Sequence, residues 1–389
     1  MKAKKLTILQ VGLDSLSDGQ LKAKIDQFLA SSESNLIVTV NPEFLLEARQ
    51  NFRFNNLLNH AALALADGFG LQVMALFKGA YLRRQTGADL SVYLLALAET
   101  EKRRVAIINW SGGLSSNDEL RATLAKSYPA LQVEIVATER GADFEQLEVL
   151  KKFQPEIVLC SLGAPYQEKL LAQLASVLTA KILVGVGGSL DYLTGRAKRA
   201  PQVLRTIGLE WLWRLLINPR ARAKRIWQAV VKFPICFVID EWIHPWLYRP
   251  NVVGFIYQNN EVLIVNSAKE TRDFWKLPQG GRDALETVRQ AVRREMTEEL
   301  SLSNYQIKAV YKNIFKYCWR SGYSIQGYKG QCQSLCLLDY RGDKSAMKLD
   351  EENRAYKWVR IDDLLNQVDP VNEKAYTLFI QKYRESLKS

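Results

Sequence analysis

Three glutamates stand close together near residue 300: Glu295, Glu298 and Glu299, three and four residues apart in Arg294-Glu-Met-Thr-Glu-Glu-Leu300. On a helix those spacings put the carboxylates on one side, while Val288, Val292 and Met296, at four-residue steps, form the buried stripe. Like charges a few ångströms apart are costly unless a cation lies between them or their pKa values rise. Hard oxygen ligands on a fixed face suit Mg²⁺ or Mn²⁺, which would bridge to a substrate pyrophosphate. The plain alternative is a solvated acidic helix face. Against it stands the longer spacing, in which Gly280 is followed after five residues by Glu286 and, after seven more, by Arg294-Glu295.

The first half of the chain offers different chemistry. With only two histidines, His60 and His244, an imidazole base is poorly supplied, and packing or solvent exposure is the simpler role for each. Proton transfer then falls to a carboxylate. Asp67 directly follows the apolar run Ala61–Ala66 and precedes Gly68-Phe-Gly70, which places it at the carboxyl end of a strand. An Asp-Gly turn alone is usually structural. Its company strengthens the case: Thr39-Val-Asn41-Pro42, Gly163-Ala-Pro-Tyr-Gln167-Glu168 and Gly185-Val-Gly-Gly-Ser189-Leu-Asp191 each follow an apolar run. Helix N-termini and glycine backbone at such places accept anions.

These residues need elements to hold them. Apolar runs at Leu6–Val11, Leu36–Val40, Ala62–Ala66, Val105–Asn109, Val133–Val136, Ile157–Ser161 and Ile182–Val186 alternate with helical stretches at Ser17–Ala30, Pro42–Asn51, Asp89–Thr100, Ser116–Tyr128, Asp143–Phe153 and Pro165–Leu178. That alternation predicts an α/β fold with a parallel sheet covered on both faces, its ligands at the carboxyl ends of the strands. Between Gly195 and Lys232 ten basic residues face one acidic residue, interleaved with Trp211, Trp213, Leu215, Leu216 and Trp227. Such a basic amphipathic segment suits an anionic membrane surface, a solvated face over an ordinary core helix, or nucleic acid. Trp242–Pro250 reads as a linker. Beyond it, Val252–Tyr257 and Glu261–Asn266 flank a hairpin turn, and the helix Leu285–Leu300 interrupts a strand-rich region.

Composition sets the outer limits. The 389 residues carry 53 Lys+Arg and 41 Asp+Glu, a net +12, with 48% hydrophobic residues, which excludes disorder, collagen and coiled coil and allows two or three domains. Five cysteines lack metal-knuckle or redox spacing and fit a reduced, cytoplasmic setting. No apolar run reaches the roughly 20 residues that span a bilayer.

The C-terminal spacing resembles the Nudix box, departing from it only at Ser301, where the family has glycine. The likeness spans about residues 250–385 and is closest to the RNA pyrophosphohydrolase and diadenosine-polyphosphate branch, on Phe274-Trp-Lys-Leu-Pro-Gln-Gly-Gly281, Tyr328-Lys-Gly-Gln331 and Tyr356-Lys-Trp-Val359. It implies an α+β domain, a mixed sheet in an α/β/α sandwich. Glu295, Glu298 and Glu299 would bind Mg²⁺ or Mn²⁺, and Arg294 would hold the glutamates in place. Glu352, with Glu351 beside it, would help activate water. Glu298, Glu299 and Glu352 are thus the implied catalytic residues, with Gly280, Glu286 and Arg294 structural, and a nucleoside diphosphate derivative is the implied substrate.

The first part resembles the WecG/TagA/CpsF family, glycosyltransferase family 26, over about residues 5–230. Thr39-x-Asn41, Ala66-Asp67-Gly68, Arg84-x-x-Gly87-x-Asp89-Leu90, Gly163-x-Pro165-x-Gln167-Glu168, Gly185-Val-Gly187 with Asp191, Arg199-Ala-Pro201 and Gly208-Leu-Glu210-Trp-Leu-Trp-Arg214 occur in order. The resemblance implies a Rossmann-like, inverting, metal-independent enzyme that moves an N-acetylmannosamine-type sugar from a UDP-sugar to a polyprenyl-diphosphate-linked sugar at the cytoplasmic membrane face. Asp67 would be the general base, with Gln167 also catalytic. Thr39, Asn41, Arg84, Asp89, Gly163, Gly187, Asp191, Arg214 and Arg220 would bind substrates. The expected division is a transferase core at 1–194, a basic membrane-associating appendage and linker at 195–246, and the Nudix domain at 247–389. Two rivals remain. In one, the first domain only binds a lipid carrier and the second is the sole enzyme. In the other, the chain processes RNA 5′ ends and binds RNA with strong salt dependence.

Overall fold

The computed structural model describes residues 5–141, 144–145, 147–206, 208–217, 219–268, 273–319, 324–345 and 347–387. The chain divides into two compact units, Met1–Glu241 and Trp242–Ser389.

In the first unit six strands form an all-parallel sheet: β1 (Asn35–Val40), β2 (Leu63–Ala66), β3 (Arg104–Trp110), β4 (Gln132–Thr138), β5 (Ile157–Cys160) and β6 (Ile182–Gly185), in the order β2-β1-β6-β5-β3-β4. Their aliphatic side chains are buried on both faces, Val38 and Val40 in one core and Ile37 and Val184 in another. That explains why the strands read as continuous apolar runs rather than alternating ones. The helices that matter to the site are α1 (Pro42–Gln50), α2 (Gly87–Thr100) and α3 (Tyr166–Leu174).

Leu6–Val11 is not a strand of this sheet. Leu6–Ile8 pairs antiparallel with Val11–Leu13, because Leu9 and Gln10 turn back at φ +45° and +68°. Neither residue type signals a left-handed turn, so the sequence hid it. The helices Phe52–His60 and Phe69–Phe77 were also not anticipated, and Asp143 lies outside the described residues.

The appendage carries α4 (Glu210–Ile217) and α5 (Pro219–Trp227) in its basic segment and α6 (Phe233–Val238) just beyond it. Phe233 and Phe237 are buried in the same core as Phe44, Leu45 and Leu71. Ion pairs fasten it further: Arg49 to Asp240 (2.7 Å), Lys78 to Glu241 (2.6 Å), Arg225 to Glu43 (2.8 Å), Arg199 to Asp89 (2.7 Å) and Arg84 to Glu210 (2.5 Å). No helix among the described residues is long and apolar enough to cross a membrane.

The second unit holds a seven-stranded mixed sheet built from β7 (Tyr248–Gln258), β8 (Glu261–Ser267), β9 (Trp275–Lys276), β10 (Gln279–Gly281), β11 (Tyr305–Cys318), β12 (Gly330–Tyr340) and β13 (Asn353–Arg360). The path is β9-β8-β7-β12-β11, with β10 on β7 and β13 on β8, and only β7 and β12 run parallel. Helix α7 (Val288–Leu300) covers one face through Val288, Val292 and Met296, and α8 (Glu373–Ser386) covers the other through Tyr376, Phe379 and Ile380. The expected linker ends sooner than the prolines imply, since Tyr248, Arg249 and Pro250 already belong to β7. His244 is buried and stacks on Tyr328, whereas His60 is exposed at a helix end.

Candidate functional site

Asp67 follows β2 directly and is half-buried, its Oδ2 accepting a hydrogen bond from the Gly87 N–H at the start of α2 (3.2 Å). A Cβ on Gly87 would lie 3.2 Å from Thr39 Oγ1 and 3.6 Å from Ser189 Oγ, so α2 starts in close contact with the ends of β1 and β6. Thr39 donates its hydroxyl to the Gly185 carbonyl (3.2 Å). Asn41 caps α1, its Oδ1 accepting from the N–H groups of Glu43 (2.9 Å) and Phe44 (3.2 Å). Asp67, Thr39 and Asn41 therefore share one set of strand ends.

Gln167, expected among the catalytic residues, is instead 2% exposed and spent on the protein itself. Its Oε1 accepts from Gly163 N–H (3.0 Å) and Gly187 N–H (3.1 Å), and its Nε2 donates to Glu168 Oε1 (2.6 Å). It ties the two glycine loops together. A Cβ on Gly185 would fall 2.3 Å from Gln167 Nε2, so that packing also demands glycine. Glu168 beside it is fully buried, which pushes its carboxyl up to about 7.

Asp191 accepts a hydrogen bond from Ser115 Oγ (2.7 Å), a residue that no motif singled out. Arg84 and Asp89, expected to bind substrate, are held by the appendage residues Glu210 and Arg199, and Asp89 also accepts from Thr86 Oγ1 (2.6 Å) at the start of α2. Gly163 and Gly187 both have positive φ, +78° and +51°. Arg214 and Arg220 lie on α4 and α5, and their side chains fall outside the described residues.

In the second unit Arg294 is the hub. It donates to both carboxylate oxygens of Glu286 (3.0 Å each), to Glu295 Oε1 (2.8 Å), to Glu298 Oε2 (3.2 Å) and to the Gly281 carbonyl (2.8 Å). This guanidinium holds Glu286 below the usual carboxylate range. Glu295 presses on Gly280, where a Cβ would meet its carboxyl at 1.9 Å. Glu299 is buried, and burial, with Glu295, Glu352 and Asp350 adding to it, pushes its carboxyl up to about 8. Of the two adjacent candidates, it is Glu352 whose charge reaches Glu299, while Glu351 is exposed. Lys276, which had no assigned role, is the cation that acts on Glu299, and Arg249 adds to the larger effect of Arg294 on Glu295. Ser301 closes α7 in the left-handed conformation, φ +52°, as the glycine of the box would.

Glu299 Oε2 is buried and has no hydrogen-bond partner among the described residues. A hard-oxygen donor set with an orphaned buried carboxylate oxygen fits a divalent cation. No group of three or more His, Cys, Asp or Glu among the described residues is already gathered at metal-binding spacing, and Arg294 draws Glu295 and Glu298 toward itself.

A parallel α/β unit whose strand ends carry a poised carboxylate, followed by a mixed-sheet unit with glutamates on one helix, defines a two-enzyme chain. Residues 6–246 match the model of the glycosyl transferase WecG/TagA/CpsF family, and residues 247–379 match that of the NUDIX domain. The chain belongs to the WecG/TagA/CpsF glycosyltransferase family and carries a C-terminal Nudix hydrolase domain. An N-acetylglucosaminyldiphosphoundecaprenol N-acetyl-beta-D-mannosaminyltransferase of Bacillus spizizenii is 34% identical over 203 residues, which cover 51% of this chain and 77% of that protein. The Staphylococcus aureus protein of the same description is 29% identical over 221 residues, 55% of this chain and 85% of its own. A solved C. elegans Ap4A hydrolase is 18% identical, covering 36% of this chain and 98% of its own, with a TM-score of 0.29.

Proposed function

We propose that the first unit transfers an N-acetylmannosamine-type sugar from a UDP-sugar to a polyprenyl-diphosphate-linked sugar, with inversion, and that the Nudix domain hydrolyses a nucleoside diphosphate derivative. The observation that supports the transferase reading is the continuity from Asp67 through Gly87 and Thr39 to Gly185, Gln167 and Gly187 along neighbouring strand ends. Gly87 N–H fixes one oxygen of Asp67, and the carboxylate takes the proton of the acceptor hydroxyl as its oxygen bonds to the anomeric carbon and UDP departs. The glycine backbone at 185–188 faces the diphosphate. Gln167 acts by holding both glycine loops in place, and Ser115 by orienting Asp191.

In the Nudix domain Glu295, Glu298 and Glu299 would hold Mg²⁺ or Mn²⁺, with Glu352 beside them. When bound, such a cation supplies positive charge to the substrate pyrophosphate. Lys276 balances the buried charge of Glu299, and Arg294 sets the positions of Glu295 and Glu298.

For the membrane, exposed Leu216 (71%), Ile217 and Trp227 on the basic helices supply the apolar side of a peripheral contact with anionic lipid. Asp67→Asn tests the transferase reading: sugar transfer should fall by roughly 10²–10⁴-fold while diphosphate hydrolysis is unchanged. Full transfer by that variant would leave the first unit as a lipid-carrier binding module.

A further inference from the structure

At the far side of the same strand ends sits a preorganised cation for which the transfer mechanism has no use. Trp110 is the last residue of β3, and Arg140 lies two residues beyond β4. The Arg140 guanidinium carbon stands 3.5 Å from the centre of the Trp110 ring, directly on its face. Its Nε donates to the carbonyl of Leu162, two residues beyond β5, and a Cβ on Gly163 would lie 3.0 Å from its Nη2. The ring has its own support, because a Cβ on Gly112 would lie 2.8 Å from the indole, so the loop after β3 folds against it. Stacking, a carbonyl and the close glycine backbone thus fix the plane of a long side chain that would otherwise be mobile. Arg140 is nonetheless exposed, and it forms no ion pair with a carboxylate among the described residues.

Position indicates what such a plane could read. Strands in a sheet are about 4.8 Å apart, so β5 and β3 lie about 14 and 19 Å across the sheet from β2, which carries Asp67. A donor whose anomeric carbon meets Asp67 and whose diphosphate lies over Gly185–Gly188 has its nucleoside end at that reach. A guanidinium already stacked on an indole stacks equally well on a planar base, whereas the phosphates lie closer to Asp67. We propose that Arg140, backed by Trp110, is the residue on which the pyrimidine base of the nucleotide-sugar donor stacks. The inference rests on the transferase reading and adds the residue pair that recognises the nucleoside.

The test uses the full chain. Uridine and inorganic pyrophosphate are titrated separately as inhibitors of sugar transfer, in the wild type, Arg140→Ala and Arg140→Lys. Expected for both variants are a rise of about tenfold or more in uridine Ki and donor KM, with kcat and pyrophosphate Ki within about twofold of wild type. Lysine should not rescue, because an ammonium has no plane to stack. An unchanged uridine Ki in Arg140→Ala overturns the proposal, as does a rise confined to pyrophosphate, which would make Arg140 a phosphate clamp. Direct calorimetry of uridine binding keeps the base site testable if the wild type transfers no sugar, an outcome that sinks the preceding reading by itself. An unchanged thermal unfolding transition of the first unit in each variant confirms that it has folded.

Discussion

At Glu168 water cannot reach the carboxyl, and burial raises its pKa to about 7 from the usual 4.5. A folded-state pKa above the unfolded one means that the native protein holds its proton more tightly. Stability from this group is therefore present below about pH 4.5 and is lost as pH rises toward 7. Glu168→Gln should remove that dependence: its urea midpoint relative to wild type should rise from pH 5 to pH 8, and a constant difference would contradict this account. Ser301 poses the opposite problem, a side chain where the backbone needs φ +52°. Ser301→Gly should stabilise the second unit by about 0.5–1 kcal/mol, read from thermal unfolding, and leave hydrolysis intact, because the glutamates are set by Arg294 and not by the helix end.

Several elements approach one another closely at glycines. Gly87 admits α2 to the strand ends, Gly185 admits Gln167 and Glu168, and Gly280 admits Glu295. The same elements are fastened by charge, and Asp240 is the most buried carboxylate of the appendage, receiving two bonds from Arg49 (2.7 and 2.9 Å). Removing one partner strands the other away from water, at a cost of about 3 kcal/mol. Asp240→Ala should lower the stability of the first unit by about that amount and speed proteolysis within residues 195–241. Measured resistance equal to wild type would mean that the packing of Phe233 and Phe237 holds α6 without help.

Across the whole molecule the two chemistries make separable demands. Chelation of divalent cations with EDTA should abolish diphosphate hydrolysis and leave sugar transfer largely intact, since the base proposed for transfer is the Asp67 carboxylate and no metal is proposed there; loss of both activities together would contradict a metal-free transferase. Sedimentation with anionic vesicles should weaken as salt is raised and weaken further in Lys224→Glu/Arg225→Glu. Much of this organisation can be read from the chain: most of the continuous apolar runs are strands covered on both faces, and the Glu295–Glu299 spacing puts the carboxylates on one side of a helix. Local periodicity and turn chemistry carry that information, and they decided the layers of both units. They could not reveal the Leu9–Gln10 turn, which lacks the usual residues, nor that Arg84 and Asp89 would be engaged by Glu210 and Arg199 from over a hundred positions away. Ser115 reaching Asp191, Lys276 beside Glu299 and Arg140 lying on Trp110 are likewise decisions of the tertiary structure. Pairing between distant segments depends on which strand ends the sheet order makes neighbours, and no local pattern encodes that order.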